Sequence, residues 1–160
     1  IEFPEMGRLQ GSLELGLKRF DPGNPLYRQT QKLNGKGEVS LKLAERLRFS
    51  FNYGIDTLFS YGASDLFYDN ELFGFAAEAY VTRFLKAGAS FQDGRLRYHS
   101  FLDLELQRRD RTRQQHYTLA FPFIGRTAIG LAYNVYRLTS DALNLDYTRD
   151  FWGGFLSYEF

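Results

Sequence analysis

The chain has 160 residues, a net charge of +1 and no cysteine, which is the length of one domain and enough to bury a sizeable core. Near-neutral charge with scattered basic residues gives no general attraction for nucleic acid, and the missing cysteines exclude disulfides, thiolate zinc sites and thiol nucleophiles. Two histidines, His99 and His116, leave little for a metal centre, whereas 16 Phe and 11 Tyr beside a single Trp make the chain unusually aromatic.

In chain order the dominant signal is alternation. Leu9, Leu13, Leu15 and Leu17 interleave with Arg8, Gln10, Ser12, Glu14 and Lys18, a period of two that predicts a strand with one apolar and one polar face. Residues 21–25, Asp-Pro-Gly-Asn-Pro, predict a loop. A second strand is expected from about Tyr27 to Leu43, with Leu33, Val39, Leu41 and Leu43 against Asn34, Lys36, Glu38, Ser40 and Lys42. A tight turn at 44–46 leads to a third strand, where Leu47, Phe49, Phe51, Tyr53 and Ile55 alternate with Arg48, Ser50, Asn52 and Asp56. Residues 61–70 read as a long loop. The fourth strand, 71–81, sets Phe73, Phe75, Ala77, Ala79 and Val81 opposite Glu78.

After a turn near 82–84 the pattern changes phase. Leu85, Ala87, Ala89 and Phe91 are odd, but Leu96, Tyr98, Leu102, Leu104 and Leu106 are even. The change falls at Asp93-Gly94, which is either a bulge inside one long strand or a two-residue hairpin turn. Residues 108–114 read as a charged loop, 116–123 and 127–136 as strands around a turn at Gly125-Arg126, 139–144 as a loop, and 145–160 as the last strand. A bulge gives eight strands and a hairpin about ten. Eight makes connections alternate between short turns and long loops, and it is the preferred reading.

Amphipathic strands throughout suit a soluble barrel or sandwich with the apolar face inward, or a transmembrane barrel with that face toward lipid. No apolar run nears the ~20 residues of a transmembrane helix, but a tilted spanning strand needs only ~9–11. Many strands here run ~11–17 residues, against ~5–6 in soluble sheets. Phe20, Tyr27, Phe59, Tyr61, Phe67, Tyr68, Phe84, Tyr136 and Trp152 fall at or near strand ends, as in aromatic girdles. The mean hydropathy of −0.38 is compatible with this, because half of every such strand faces a wet interior. A lipocalin-like soluble barrel is the alternative of similar length, although no Gly-x-Trp occurs early in the chain. No signal peptide precedes Ile1, so the chain reads as a mature protein or a piece of a longer one.

The last residues, Phe-Trp-Gly-Gly-Phe-Leu-Ser-Tyr-Glu-Phe at 151–160, are similar to the C-terminal signature of bacterial outer-membrane β-barrel proteins. The resemblance rests on Phe160 at the end, Tyr158, Leu156 and Trp152, with Gly154 in place of the usual large residue. It implies an antiparallel up-and-down transmembrane β-barrel whose last strand is recognised by the barrel-assembly machinery and closes against the first. It does not identify a subfamily.

Charged residues on the polar faces, Glu14, Lys18, Glu38, Lys42, Arg48, Asp56, Glu78, Asp103 and Glu105, with Asp146, are expected to line the interior. In an eight-stranded barrel side chains fill that space, and buried charges persist when paired, so the expectation is a plugging salt-bridge network. Arg108, Arg109, Arg111 and Arg113 form the most basic cluster. As a loop it would face water or touch lipopolysaccharide phosphates. His99 and Ser100 point to opposite faces, so no Ser–His pair is expected. Residues 1–160 thus read as a single outer-membrane barrel domain. It is expected to serve as a structural, anchoring or surface-interaction module with no cofactor or metal and no catalysis, a lipid A-modifying enzyme being the minor alternative. The expected surroundings are membrane lipid, lipopolysaccharide, and a surface or periplasmic protein partner. The alternatives are the C-terminal part of a larger porin or polysaccharide or solute exporter, and a soluble ligand-binding barrel.

Overall fold

A computed structural model describes residues 8–21, 30–43, 46–60, 65–100, 108–122, 127–142 and 144–158. Eight strands follow one another: β1 (Leu9–Phe20), β2 (Thr30–Leu43), β3 (Leu47–Phe59), β4 (Asp65–Thr82), β5 (Leu85–Ser100), β6 (Arg109–Pro122), β7 (Thr127–Ser140) and β8 (Tyr147–Tyr158). They form one antiparallel sheet in which each strand pairs with the next in the chain. The expected eight-stranded, all-β, up-and-down organisation is therefore present. Connections alternate as anticipated: 44–46, 83–84 and 123–126 at one end, and 21–29, 60–64, 101–108 and 141–146 at the other.

Three segments depart from the sequence expectation. The fourth strand starts at Asp65 rather than 71, and the sixth takes in Arg109–Gln115, so both supposed loops are largely sheet. Their polar residues are tolerated because strand pairing satisfies the backbone and the side chains are either exposed or, like Asp110, hydrogen-bonded. Asp93-Gly94 is neither hairpin nor bulge. Asp93 pairs with Phe73 and Arg113, and Gly94 with Leu72 and Thr112, in unbroken register on both sides. The phase change is one of chemistry: the odd face of β5 is apolar below Asp93 and charged above it. Gly94 is needed for close approach, since a Cβ there would sit 2.3 Å from Thr112 Oγ1.

Register fixes the two faces of the sheet. From β1 to β7 odd residues pair with odd, and β7 pairs its odd residues with even ones of β8. The odd face, continued by Leu156 and Trp152 on β8, carries nearly all the large hydrophobics, and they are exposed: Leu156 to 76% and Trp152 to 69%. Among the described residues Phe20 is the one buried hydrophobic. The apolar side chains are thus not the core of the sheet.

The even face is the concave one. Residues of β1 to β5 line a common cavity on it, which a flat sheet with strands ~4.8 Å apart cannot bring about. Glycines permit this packing: Asn52 lies where a Cβ of Gly74 would be, and Phe155 covers Gly130. Between β1 and β8 no pairing is formed among the described residues. At the long-connection end the β2–β3 ladder extends to Gly35↔Ile55. Beyond it the β3–β4 hairpin turns its odd residues Phe59, Phe67 and Asp69 onto Phe20 of β1 and Lys32 of β2.

Candidate functional site

The concave face is built by alternation, which sends every even residue of the first five strands to the same side. Midway along it a cavity of about 470 Å³ is lined by Glu14, Lys18, Asn34, Lys36, Asn52, Asp56 and Asn70, among others. Lys18 Nζ lies 2.5 Å from Asp56, and Glu14 stands directly opposite Lys36. Asn34 Oδ1 is buried there without a partner.

Toward the short-turn end a second cavity, about 350 Å³, is lined by Arg8, Lys42, Arg46, Arg48, Glu78, Tyr80 and Lys86, with Gln10, Ser40 and Leu47. Lys86 pairs with Glu78 at 3.1 Å and lies over the Tyr80 ring. Arg48 stands opposite both Lys42 and Glu78, and Lys42 N donates to Arg8 O at 2.8 Å.

Of the charges expected to form one network, the structure joins Lys18 with Asp56. It places Lys42, Arg48 and Glu78 around the second cavity. Glu38 stands between Ser12 and Asn52. Asp103 and Glu105 lie outside the described residues. Asp146 is in the β7–β8 connection, where it accepts from Ser140 N at 2.7 Å. Lys36 and Lys86 belong to the same face and were readable from their even positions. Arg8, part of the first alternation, and Arg46, expected in the turn, each lie one residue before their strand, β1 and β3.

At the opposite end a mixed cluster joins Phe20 of β1 and Lys32 of β2 to odd residues of β3, β4 and β5. Phe20 packs edge-on against Phe59 and stacks on Phe67, and Phe67 stacks on His99. Asp69 sits among them, 2.8 Å each from Lys32 Nζ, Thr57 Oγ1 and His99 Nε2. Asp69 is thereby the shared acceptor of three donors. Thr57, 2% exposed, bonds the carboxylate rather than the imidazole, so no nucleophile–base pair is formed here. His116 Nδ1 faces Asn134 across the β6–β7 ladder. Among the described residues no three His, Asp or Glu side chains converge as a metal site.

Nearby, Asp110 is 3% exposed and accepts from Arg108 Nε at 3.0 Å and from Ser140 Oγ at 2.5 Å, while the Arg108 guanidinium lies 4.3 Å over Tyr98. Arg108 is thereby separated from the cluster in which the sequence placed it. Arg109, Arg111 and Arg113 point to the odd face, and there they join Arg95 and Arg97, which the supposed phase change had obscured. Arg111 grips Asp93 with Nε and Nη2 at 2.8 and 2.7 Å. Glu71 lies 4.0 and 3.8 Å from Arg95 and Arg97 and accepts from Tyr53 OH at 2.9 Å.

Below this cationic belt the odd face turns aromatic, with Trp152 stacked on Tyr133 at 4.3 Å and Tyr133 on Tyr117 at 6.4 Å, and then aliphatic. Trp152 is therefore mid-strand rather than at a strand end. Tyr158 pairs its backbone with Thr127, and Phe160 lies outside the described residues. No family model, no curated protein and no solved structure matches the chain.

Proposed function

We propose that the eight strands are wall of an outer-membrane β-barrel, with the odd face toward lipid and the even face toward a polar interior. The observation that carries this reading is the distribution of side chains: large hydrophobics crowd one exposed face while the concave face is charged. In water each such Leu or Phe forgoes about 1.5–3 kcal/mol of burial, and monomeric soluble proteins rarely expose contiguous apolar patches above a few hundred Å². A soluble ligand-binding barrel needs the opposite arrangement.

The dimensions agree. From Leu33 to Leu43 the apolar face of β2 runs roughly 33 Å at ~3.3 Å per residue. At a tilt of ~40° this covers roughly 25 Å along the membrane normal, the height of the lipid-facing band of such barrels. The Arg95–Arg97–Arg111–Arg113 belt then lies at the level of lipid phosphates, for which bidentate arginines suit lipopolysaccharide. On this reading the terminal strand, with Trp152 and Leu156 outward, is the element offered to the barrel-assembly machinery.

The protein serves as an anchoring or surface-interaction module with a charged interior. A second reading, part of a larger porin or export barrel, is favoured by the edges of β1 and β8, which form no pair with each other among the described residues. Lipid tolerates no open edge, so the two edges meet each other or further strands. One experiment tests both readings. Folded protein in detergent should show heat-modifiable gel migration, and a monomer stable in plain buffer would overturn the membrane assignment. In planar bilayers, absence of current from folded protein supports the plugged module, and stepwise conductance supports the pore.

A further inference from the structure

The short-turn cavity has a charge pattern that strand pairing alone does not explain. Arg8, Lys42 and Arg48 are successive neighbours on one cross-strand row of the concave face, with the backbone bond from Lys42 N to Arg8 O fixing the first pair and strand register the second. Like charges placed directly opposite destabilise a sheet. Arg46 and Lys86 reach the same cavity, and Glu78, already engaged by Lys86, is the one carboxylate lining it among the described residues. No ion pair within the described structure involves Arg8, Lys42, Arg46 or Arg48. Five cations therefore converge from the residue before β1, from β2, the β2–β3 turn, β3 and β5 on about 350 Å³ of polar space, with one acid between them among the described residues. Three of the five are arginines, whose planar forks bind oxyanions through paired hydrogen bonds.

We propose that this cavity is a binding site for a multiply charged oxyanion, namely phosphate, taken either free or as phosphate groups of a larger solute. The row ends on Glu78, opposite Arg48 and paired with Lys86; the ligand supplies the further negative charge that five cations around one acid require, and Tyr80 walls the cavity on the β4 side. The mid-sheet cavity, in which Lys18 is paired with Asp56 and Glu14 faces Lys36, has no such excess. The site does not depend on the membrane assignment, since it belongs to the concave face in either environment.

The test is calorimetric titration of the folded, detergent-solubilised chain with inorganic phosphate and with a short linear polyphosphate, against sodium chloride of matched ionic strength. Saturable phosphate binding is expected, weakened roughly tenfold or more by Lys42→Gln/Arg48→Gln and by Arg46→Gln, as loss of charge-assisted hydrogen bonds entails. Much tighter binding of polyphosphate identifies a phosphate-bearing chain as the ligand, and equal binding identifies the free anion. The same Lys42→Gln/Arg48→Gln protein is expected to resist unfolding better than wild type without ligand, because a like-charge contact has been removed. A structural role for these residues predicts the reverse. Absence of saturable binding overturns the proposal. So does binding that survives both cavity variants, or that is abolished by Arg111→Gln/Arg113→Gln on the outer face.

Discussion

Replacing Leu131 by Arg tests the orientation of the sheet at a single position. Leu131 is 55% exposed on the odd face of β7, between Leu119 of β6 and Gly154 of β8, with Ile129 and Tyr133 above and below it on the strand. It belongs to the stretch Ile129–Val135, near the middle of the apolar band, so the substituted guanidinium has no polar neighbour within its row. If the face meets lipid, an arginine at this depth costs about 2–4 kcal/mol, and the same change near the interface about 0–1. Thr139 supplies the interfacial control, since it lies on the same face of β7 opposite Arg111 in the charged belt. If the face meets water, both substitutions stay within about 0.5 kcal/mol, as surface changes do. Denaturant unfolding of the two variants in lipid vesicles, followed by tryptophan fluorescence from Trp152, separates these outcomes. Equal and small costs at Leu131 and Thr139 would refute the lipid-facing assignment. A large cost at Thr139 would refute the depth assigned to the band.

Gly130→Ala should destabilise by about 1–3 kcal/mol through overpacking, because the new Cβ would meet Phe155 at 2.4 Å and the immovable Leu119 carbonyl at 2.5 Å. Gly16→Ala, with nothing within 4 Å, should change the same unfolding midpoint little. Asp110→Asn should cost about 1–3 kcal/mol, since the Arg108 and Ser140 hydrogen bonds lose their charged acceptor; an unchanged midpoint would show the network to be incidental. Asp69→Asn should cost about 1–3 kcal/mol as well, since Lys32, Thr57 and His99 lose their charged acceptor, and an unchanged midpoint would contradict the Lys32–Asp69–His99 cluster.

Much of this was legible in the chain because period two is a local property. Leu9 to Leu17, Leu47 to Ile55 and Phe73 to Val81 each name their face without reference to any other strand, and eight such runs joined alternately by short and long connections leave few topologies other than an up-and-down sheet. Local pattern failed where side-chain chemistry changed along a face that kept its geometry. Asp93, Arg95 and Arg97 looked like a change of phase because alternation reports polarity and not direction. The run 108–114 looked like a loop for the same reason, although alternation within it correctly separates Asp110 from Arg109 and Arg111.

By itself, then, the sequence determined most of the strands, their antiparallel order and the segregation of apolar and polar side chains to opposite faces, all of which follow from the two-residue repeat and the lengths between repeats. Tertiary structure decided which charges meet. Lys18 finds Asp56 two strands away because the sheet curves, Asp69 finds Lys32 because the β3–β4 hairpin leaves the β2 ladder, and Arg8, Lys42 and Arg48 fall in one row because of strand register. Curvature and register are set by pairing between distant segments, with glycines such as Gly74 and Gly130 admitting a neighbour's side chain at each close approach, and no window of a single strand contains that information.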